Sequence, residues 1–237
     1  LAGGDGVLCG GPVACEVFRQ VDPSVSVSFS PEGCRVTRGD RVGEASGPAA
    51  SLLRAERVAL NFLQRLSGVA TATSLYASRI AAYGTKLLDT RKTTPLLRVL
   101  EKYAVRVGGG TNHRFSLSDG ILIKENGIRA AGGIAPAVAA ARSATHHLLR
   151  VEVEAETLPD VEAAVAAGAD AVLLDNMPPS MVREAVARFG GIVFLEASGG
   201  IHLGNVEEYA RTGVAAVAVG AITHSAPALD ISFELST

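Results

Sequence analysis

Arg91 and Lys92 stand side by side in the stretch LLDTRKTTP, residues 87–95. An apolar run climbs to Asp89 and stops, and two adjacent cations follow between Thr90 and Thr93. Such a pair suits an anion. An Arg fork holds a carboxylate or phosphate in two hydrogen bonds, and Lys adds a movable point charge. Further cations recur at comparable places: His113 and Arg114 in GGGTNHR, Lys124 at the end of GILIK, and His224 in VGAITHS. Facing them are the carboxylates Glu154, in LRVEVE, and Asp175, at the end of AVLLD and followed by Asn176. Glu152 and Glu196 occupy similar strand-end positions. Ser198, Gly199 and Gly200 form one Gly-rich turn and Gly220 opens another, and backbone N–H groups at such turns bind phosphate. The combination points to a polyanion with a divalent cation. Mg²⁺ is expected beside Glu154 and Asp175, because it prefers oxygen ligands and keeps several of its waters.

The elements that must position these groups follow from periodicity. Short apolar runs recur at 86–89, 120–124, 149–154, 171–175, 192–196 and 216–220. Helical stretches lie between them: PLLRVLEKYAVRV, APAVAAARSA, LPDVEAAVAAGA, PSMVREAVARFG and NVEEYARTGVA. Strand, helix, strand at this pitch predicts parallel β/α units with right-handed crossovers, in an open doubly wound sheet or a barrel. A charge at the end of one strand can merely solvate a loop. Polar groups at the ends of six successive strands match a β/α barrel, whose site gathers residues from several strand ends.

The first 48 residues read differently. SVSVSF (24–29) alternates with period two, and CRVTRGDRVGE (34–44) reads as strand, turn, strand, so a small β-rich unit is expected. AASLLRAERVALNFLQRLSG then has helical spacing, with Gly68 as its stop and a second helix over about 70–82. The tail ALDISFEL alternates again and is expected to return to the N-terminal unit. The division expected is 1–66, plus 226–237, as an N-terminal α/β sandwich-like domain, and 67–225 as the barrel.

Composition limits the partners. The chain has 237 residues, 48% of them apolar and 19% charged, with a net charge of −2. That balance argues against a general nucleic-acid or polybasic membrane protein, so the anion site is a local concentration of charge. Cys9, Cys15 and Cys34 are odd in number and lack C-x-x-C spacing, which favours a reducing, cytoplasmic setting. No apolar run reaches roughly 18 residues without a charge or breaker, so no membrane span is expected. The chain does not open on Met, and Leu1 reads as an interior residue, so further sequence before it is expected.

At this point the residues resemble a known family. ERVALNFLQRLSGVAT, DTRKTTPLLRVLEKYAVRVGGGTNHR, LIKENGI, VEVEAET, LLDNM, LEASGGI and VGAITHS, in this order and spacing, are similar to quinolinate phosphoribosyltransferases. The resemblance runs from about residue 54 to 233. It implies an α/β fold: a smaller α+β N-terminal domain and an incomplete, six- to seven-stranded parallel α/β barrel. It also implies transfer of phosphoribosyl from phosphoribosyl pyrophosphate to quinolinate with decarboxylation, in NAD biosynthesis, with Mg²⁺ and no organic cofactor. By the same resemblance Arg91, His113, Arg114 and Lys124 line the quinolinate pocket, and Thr90 is a further substrate-binding residue. Arg57 joins them from a neighbouring subunit of a homodimer or hexamer. Lys92, Glu154, Asp175, Ser198, Gly199, Gly200, Gly220 and His224 match the phosphoribosyl pyrophosphate and metal side. Lys92, Lys124, Glu154 and Asp175 are the expected catalytic groups. Two alternatives stay open: a paralogue of the molybdenum-transport-associated type with another acceptor, and a non-catalytic phosphate-binding barrel. Arg91, Arg114 and Lys124 together favour a dicarboxylate.

Overall fold

The computed structural model describes residues 1–236. The chain falls into two compact units. The first takes residues 1–75, 92–110 and the segment from Ala221 on; the second takes 76–91 and 111–220. Residues 92–110, which chain order assigns to the barrel segment, therefore group with the first unit.

The first unit begins with β1 (Gly6–Val7), α1 (Gly11–Val21), β2 (Ser26–Phe29), β3 (Arg35–Val36), β4 (Gly43–Ser46) and most of α2 (Ala49–Ile80), whose residues from Tyr76 on count with the second unit. Two small antiparallel sheets form, β1 with β3 and β2 with β4. The expected 34–44 hairpin is thus corrected: its two strands exist but each pairs with an earlier strand. Alternation shows which residues are extended but carries no information about their partner. Helix α1 was not expected. It begins on Gly11-Pro12, which reads as loop, yet Pro suits a first helical turn, and Ala14 and Phe18 then fall on one buried face. The unit's core gathers Leu8, Phe18, Val36, Leu52, Leu63, Leu229 and Ile231. The last two belong to the tail, which returns as expected through a bridge between Ala2 and Ile231.

Helix α2 is one continuous helix of 32 residues and corrects the expected stop at Gly68. Glycine often ends helices, but here its missing side chain is used for close approach. A Cβ at Gly68 would lie 2.0 Å from the Pro227 carbonyl oxygen.

The second unit holds β5 (Lys86–Leu88), after which α3 (Arg98–Val107) of the first unit intervenes. It then runs through β6 (Ile121–Ile123), α4 (Glu125–Ala131), α5 (Ile134–Ala144), β7 (Val151–Ala155), α6 (Leu158–Ala166) and β8 (Ala171–Asp175). It continues with α7 (Pro179–Phe189), β9 (Phe194–Ser198), α8 (Val206–Ala210) and β10 (Ala216–Ala218), and α9 (Ala221–His224) follows in the first unit. The six expected strands form one parallel sheet in the order β5-β10-β9-β8-β7-β6. A parallel bridge from Leu88 to Thr111 extends it at the β5 edge, and no pairing among the described residues joins β5 to β6. This is the incomplete six- to seven-stranded α/β barrel.

The two sides of this sheet differ in chemistry. Val151, Val153, Val172, Leu174, Leu195 and Val217 on one side are at most 1% exposed, the face that the α/β layering covers with helices. The other side carries Glu152 and Glu154 on β7, Asp175 on β8, Glu196 and Ser198 on β9, and the small Ala216 and Ala218 on β10. Period two alone puts the polar set on one face.

Candidate active site

The barrel unit assembles its polar residues around one buried carboxylate. Asp89, just past β5, is 0% exposed. One of its oxygens accepts from the Asn112 amide at 2.6 Å and the other from the His113 backbone N–H at 2.8 Å. The segment 112–114 is thereby tied to the end of β5. Arg114 then donates its own backbone N–H to His113 Nδ1 at 2.7 Å, which fixes the imidazole tautomer with its proton on Nε2. That Nε2 faces Glu152 at 3.2 Å and Glu196 at 3.6 Å. Both ring nitrogens of His113 are therefore directed at protein groups. The Arg114 guanidinium donates to the Gly120 carbonyl at 2.7 Å. Burial, and then the neighbouring Arg91 charge, pull Arg114 below the ordinary arginine range. Two guanidinium groups close enough to repel one another favour a bound dianion.

Lys124 ends β6 as the residue before α4 and forms an ion pair with Glu154 Oε2. Its side chain is 60% exposed, while that of Glu154 is 11% exposed. Across the same face lies a second corner. Asp175 Oδ2 accepts from the Asn176 amide at 2.8 Å, and Asn176 N donates to the Ser198 carbonyl at 2.9 Å. Asn176 has φ 54°, a left-handed conformation that a non-glycine residue adopts at a cost. Gly199 permits the approach: a Cβ there would meet Asn176 Oδ1 at 2.3 Å. Gly199 and Gly200 both have positive φ, at 88° and 64°. Thr90 and Gly220 flank β5 and β10 in the same unit.

Arg57, Lys92 and His224 belong to the first unit. Arg57 lies on α2 with its side chain 71% exposed, 3.9 Å from Glu56. Lys92 and His224 are exposed, with His224 Nδ1 at 2.6 Å from the Ser225 hydroxyl.

Two sets of groups bear on a metal. Glu154 and Asp175 offer oxygen donors that are only partly buried, which fits Mg²⁺ with its retained waters. An ion at Glu154 would compete with Lys124 for the same carboxylate. His113, Glu152 and Glu196 bring one ligand atom each within 4.8 Å of one another. That set is nitrogen-containing and buried, a poorer match to Mg²⁺.

Three residues of this cluster, Asp89, Glu152 and Glu196, were visible as polar positions in apolar runs but received no role from sequence. Glu196 is the most unusual. It is 2% exposed, and its Oε1 finds no hydrogen-bond partner among the described residues. Burial, and then the charges of Glu152 and Asp89, push its carboxyl well above the ordinary carboxylate range. The native state thus holds this proton where the unfolded chain releases it, above about pH 4.3. Stability from the group is present at low pH and lost as pH rises through the folded-state value. Glu196→Gln removes the penalty. Its melting temperature should exceed the parent's by a margin that widens from pH 4.5 toward neutrality. Parallel melting curves for the two proteins across that range would show that Glu196 bears no such proton.

Residues 1–67 match the N-terminal domain family of quinolinate phosphoribosyl transferase, and residues 69–234 match its C-terminal domain family. The chain is 44% identical over 237 residues to the probable nicotinate-nucleotide pyrophosphorylase (carboxylating) of Bacillus subtilis, covering 100% of this chain and 82% of that protein. It is 42% identical over 236 residues to the nicotinate-nucleotide pyrophosphorylase (carboxylating) of Homo sapiens, covering 97% and 79%. The structure of the nicotinate-nucleotide pyrophosphorylase from Francisella tularensis superimposes with a TM-score of 0.95 at 44% identity, over 98% of this chain and 83% of that one. With both domain families matched across almost its whole length, the chain belongs to the quinolinate phosphoribosyltransferase family.

Proposed function

We propose that this chain transfers the phosphoribosyl group of phosphoribosyl pyrophosphate to quinolinate, releasing pyrophosphate and CO₂ and giving nicotinate mononucleotide for NAD synthesis. The observation that carries this reading is the nearness of Arg91 to Arg114, in the same unit as the Lys124–Glu154 ion pair, in a chain whose relatives bear that enzyme's name. Quinolinate has roughly two negative charges near pH 7, since both carboxyls titrate well below it. It relieves the repulsion between the guanidinium groups, and Lys124 turns from Glu154 toward the ligand. His113 serves the pocket through its hold on the Arg114 backbone, its own nitrogens being directed elsewhere.

Cleavage of the ribose–pyrophosphate bond builds positive charge on the ribose, which the carboxylates Glu154 and Asp175 stabilise. The N–H groups of the Ser198–Gly200 turn hold the 5′-phosphate, and Lys92 and His224 neutralise the leaving pyrophosphate. Glu154 and Asp175 would hold Mg²⁺, directly or through water, and the ion would supply further charge neutralisation for that pyrophosphate. The pyridine nitrogen, once bonded to ribose, is cationic. Loss of CO₂ from the adjacent ring carbon leaves an electron pair beside that charge, and a proton then fills the position. The ring is its own electron sink, so no organic cofactor is called for.

Among the described residues no helix is long and apolar enough to cross a membrane. A cytoplasmic enzyme without nucleic-acid or membrane partners is the accompanying proposal. The proposed assembly is a homodimer or a hexamer, in which the exposed Arg57 completes a neighbouring subunit's quinolinate pocket.

Purified protein given carboxyl-labelled quinolinate and phosphoribosyl pyrophosphate should release labelled CO₂. Absence of release with both substrates would favour the paralogous or non-catalytic reading. Arg114→Ala and Lys124→Ala should each weaken quinolinate binding about tenfold to a hundredfold, with a smaller effect on phosphoribosyl pyrophosphate. Calorimetry with unchanged quinolinate affinity in both would remove them from the pocket.

Glu154→Gln and Asp175→Asn should fold normally and need more Mg²⁺ for half-maximal turnover. If both variants follow the parent's Mg²⁺ activation curve, neither carboxylate serves the metal or the leaving group.

Arg57→Ala and Lys124→Ala, each inactive, are then unfolded and refolded together. Half the dimers should be mixed, each with one intact site, restoring about a quarter of parental activity. Demonstrated subunit exchange without recovery would place Arg57 in its own subunit's site or outside any site.

A further inference from the structure

Arg65 of α2 has a more elaborate set of partners than an ion pair requires. Its Nε and Nη2 donate to Glu101 Oε1 at 3.0 and 2.6 Å, and its Nη1 donates to the Ala226 carbonyl at 2.9 Å. Nη2 also reaches the Thr223 carbonyl. Glu101, in the first turn of α3, is 0% exposed. Its Oε2 accepts the Thr94 backbone N–H at 3.0 Å and its Oε1 the Thr94 hydroxyl at 2.7 Å. The Thr223 hydroxyl donates to the Lys92 carbonyl at 2.9 Å. These contacts close a ring: Arg65, Glu101, Thr94, back along the chain to Lys92, then Thr223 and Arg65 again. Every member lies in the first unit.

Stability alone does not account for such a ring. A buried ion pair is commonly replaceable by apolar residues without loss, because desolvating the charges offsets their attraction. What the pair supplies is geometry. A planar guanidinium with donors in a fixed fork sets several acceptors at defined distances and angles, which an apolar contact does not. The guanidinium holds the segment that carries His224, through the Thr223 and Ala226 carbonyls, and its partner Glu101 holds the loop that carries Lys92, through the Thr94 backbone N–H. Both side chains are exposed, so their reach is governed by where those backbones are held.

We propose that Arg65 and Glu101 are positioning residues that fix the separation of Lys92 and His224, and so tune the enzyme for phosphoribosyl pyrophosphate over quinolinate. This rests on the assignment of those two cations to the pyrophosphate side. Neither Arg65 nor Glu101 touches substrate in this scheme.

The test uses three variants of the full chain. Thr223→Val keeps the shape and removes one bond of the ring. Glu101→Gln keeps the shape and removes the charge. Arg65→Lys keeps the charge and removes the fork. Each should raise KM for phosphoribosyl pyrophosphate roughly tenfold, the scale of one lost buried hydrogen bond, and leave the calorimetric Kd for quinolinate within about twofold. Arg65→Lys is the discriminating case. Parental KM in that variant would mean that charge, not geometry, is what Arg65 contributes, and would overturn the proposal. Unchanged KM in folded Thr223→Val and Glu101→Gln would overturn it as well. So would an equal loss of both substrates accompanying a lowered melting temperature, since that is the mark of a purely structural ring. A parent protein that does not turn over phosphoribosyl pyrophosphate would instead overturn the functional reading beneath it, and that is seen before any variant is made.

Discussion

The Asp89 carboxylate is fully buried, and the cationic end of the barrel depends on how it is satisfied. A buried charge without partners is too costly to keep, so it recruits the Asn112 amide and the His113 N–H. That recruitment brings a distant segment alongside β5 and leaves Arg114 near Arg91. The site is thus not a set of side chains added to a finished barrel. One carboxylate at a strand end organises the loop, the loop orients the imidazole, and the imidazole accepts from the next backbone N–H.

The same economy explains why so many charges sit on one face of the sheet. In a parallel barrel the helices cover one side of every strand, and apolar residues take all those positions. The opposite side is free of that demand, and there Glu152, Glu154, Asp175 and Glu196 accumulate. Burial, and then the charges of Glu152 and Asp89, raise the proton affinity of Glu196. The guanidinium groups at the same end repel each other in turn. Both conflicts are present in the folded protein.

Much of this was legible in the chain. Runs such as AVLLD and IVFLE are short, apolar and regularly spaced, and all six became strands of the parallel sheet. The cations near Arg91 were legible because their types and spacing are unusual. The failures have a common cause: sequence periodicity describes one segment at a time. It gave β3 and β4 as strands but not their partners, and it read Gly68 as a stop because the Pro227 backbone that needs the space lies far along the chain. Glu196 looked like a strand end, whereas β9 continues to Ser198 and leaves the carboxylate inside. Arg65 looked like one more charge on an amphipathic helix, since its acceptors, on Glu101, Thr94, Thr223 and Ala226, all lie far along the chain.

Helix α2 meets the C-terminal segment in a particular way. Arg65 takes the carbonyls of Thr223 and Ala226, Gly68 makes room for that of Pro227, the Gln64 carbonyl accepts the Leu229 N–H, and the Gln64 amide donates to the Ile231 carbonyl. In every one of these contacts the segment contributes main chain. Main-chain atoms are the same whatever residue carries them. The segment's identities at Ala226, Pro227 and Ala228 are therefore open to drift across evolutionary time wherever their own packing allows, while its path is kept. The helix has less freedom, because apart from the Gln64 carbonyl the features that read the path are its side chains and one missing side chain. Divergence between homologues should accordingly be lopsided, with substitutions tolerated in the measured strand of chain and resisted at positions 64, 65 and 68 that do the measuring.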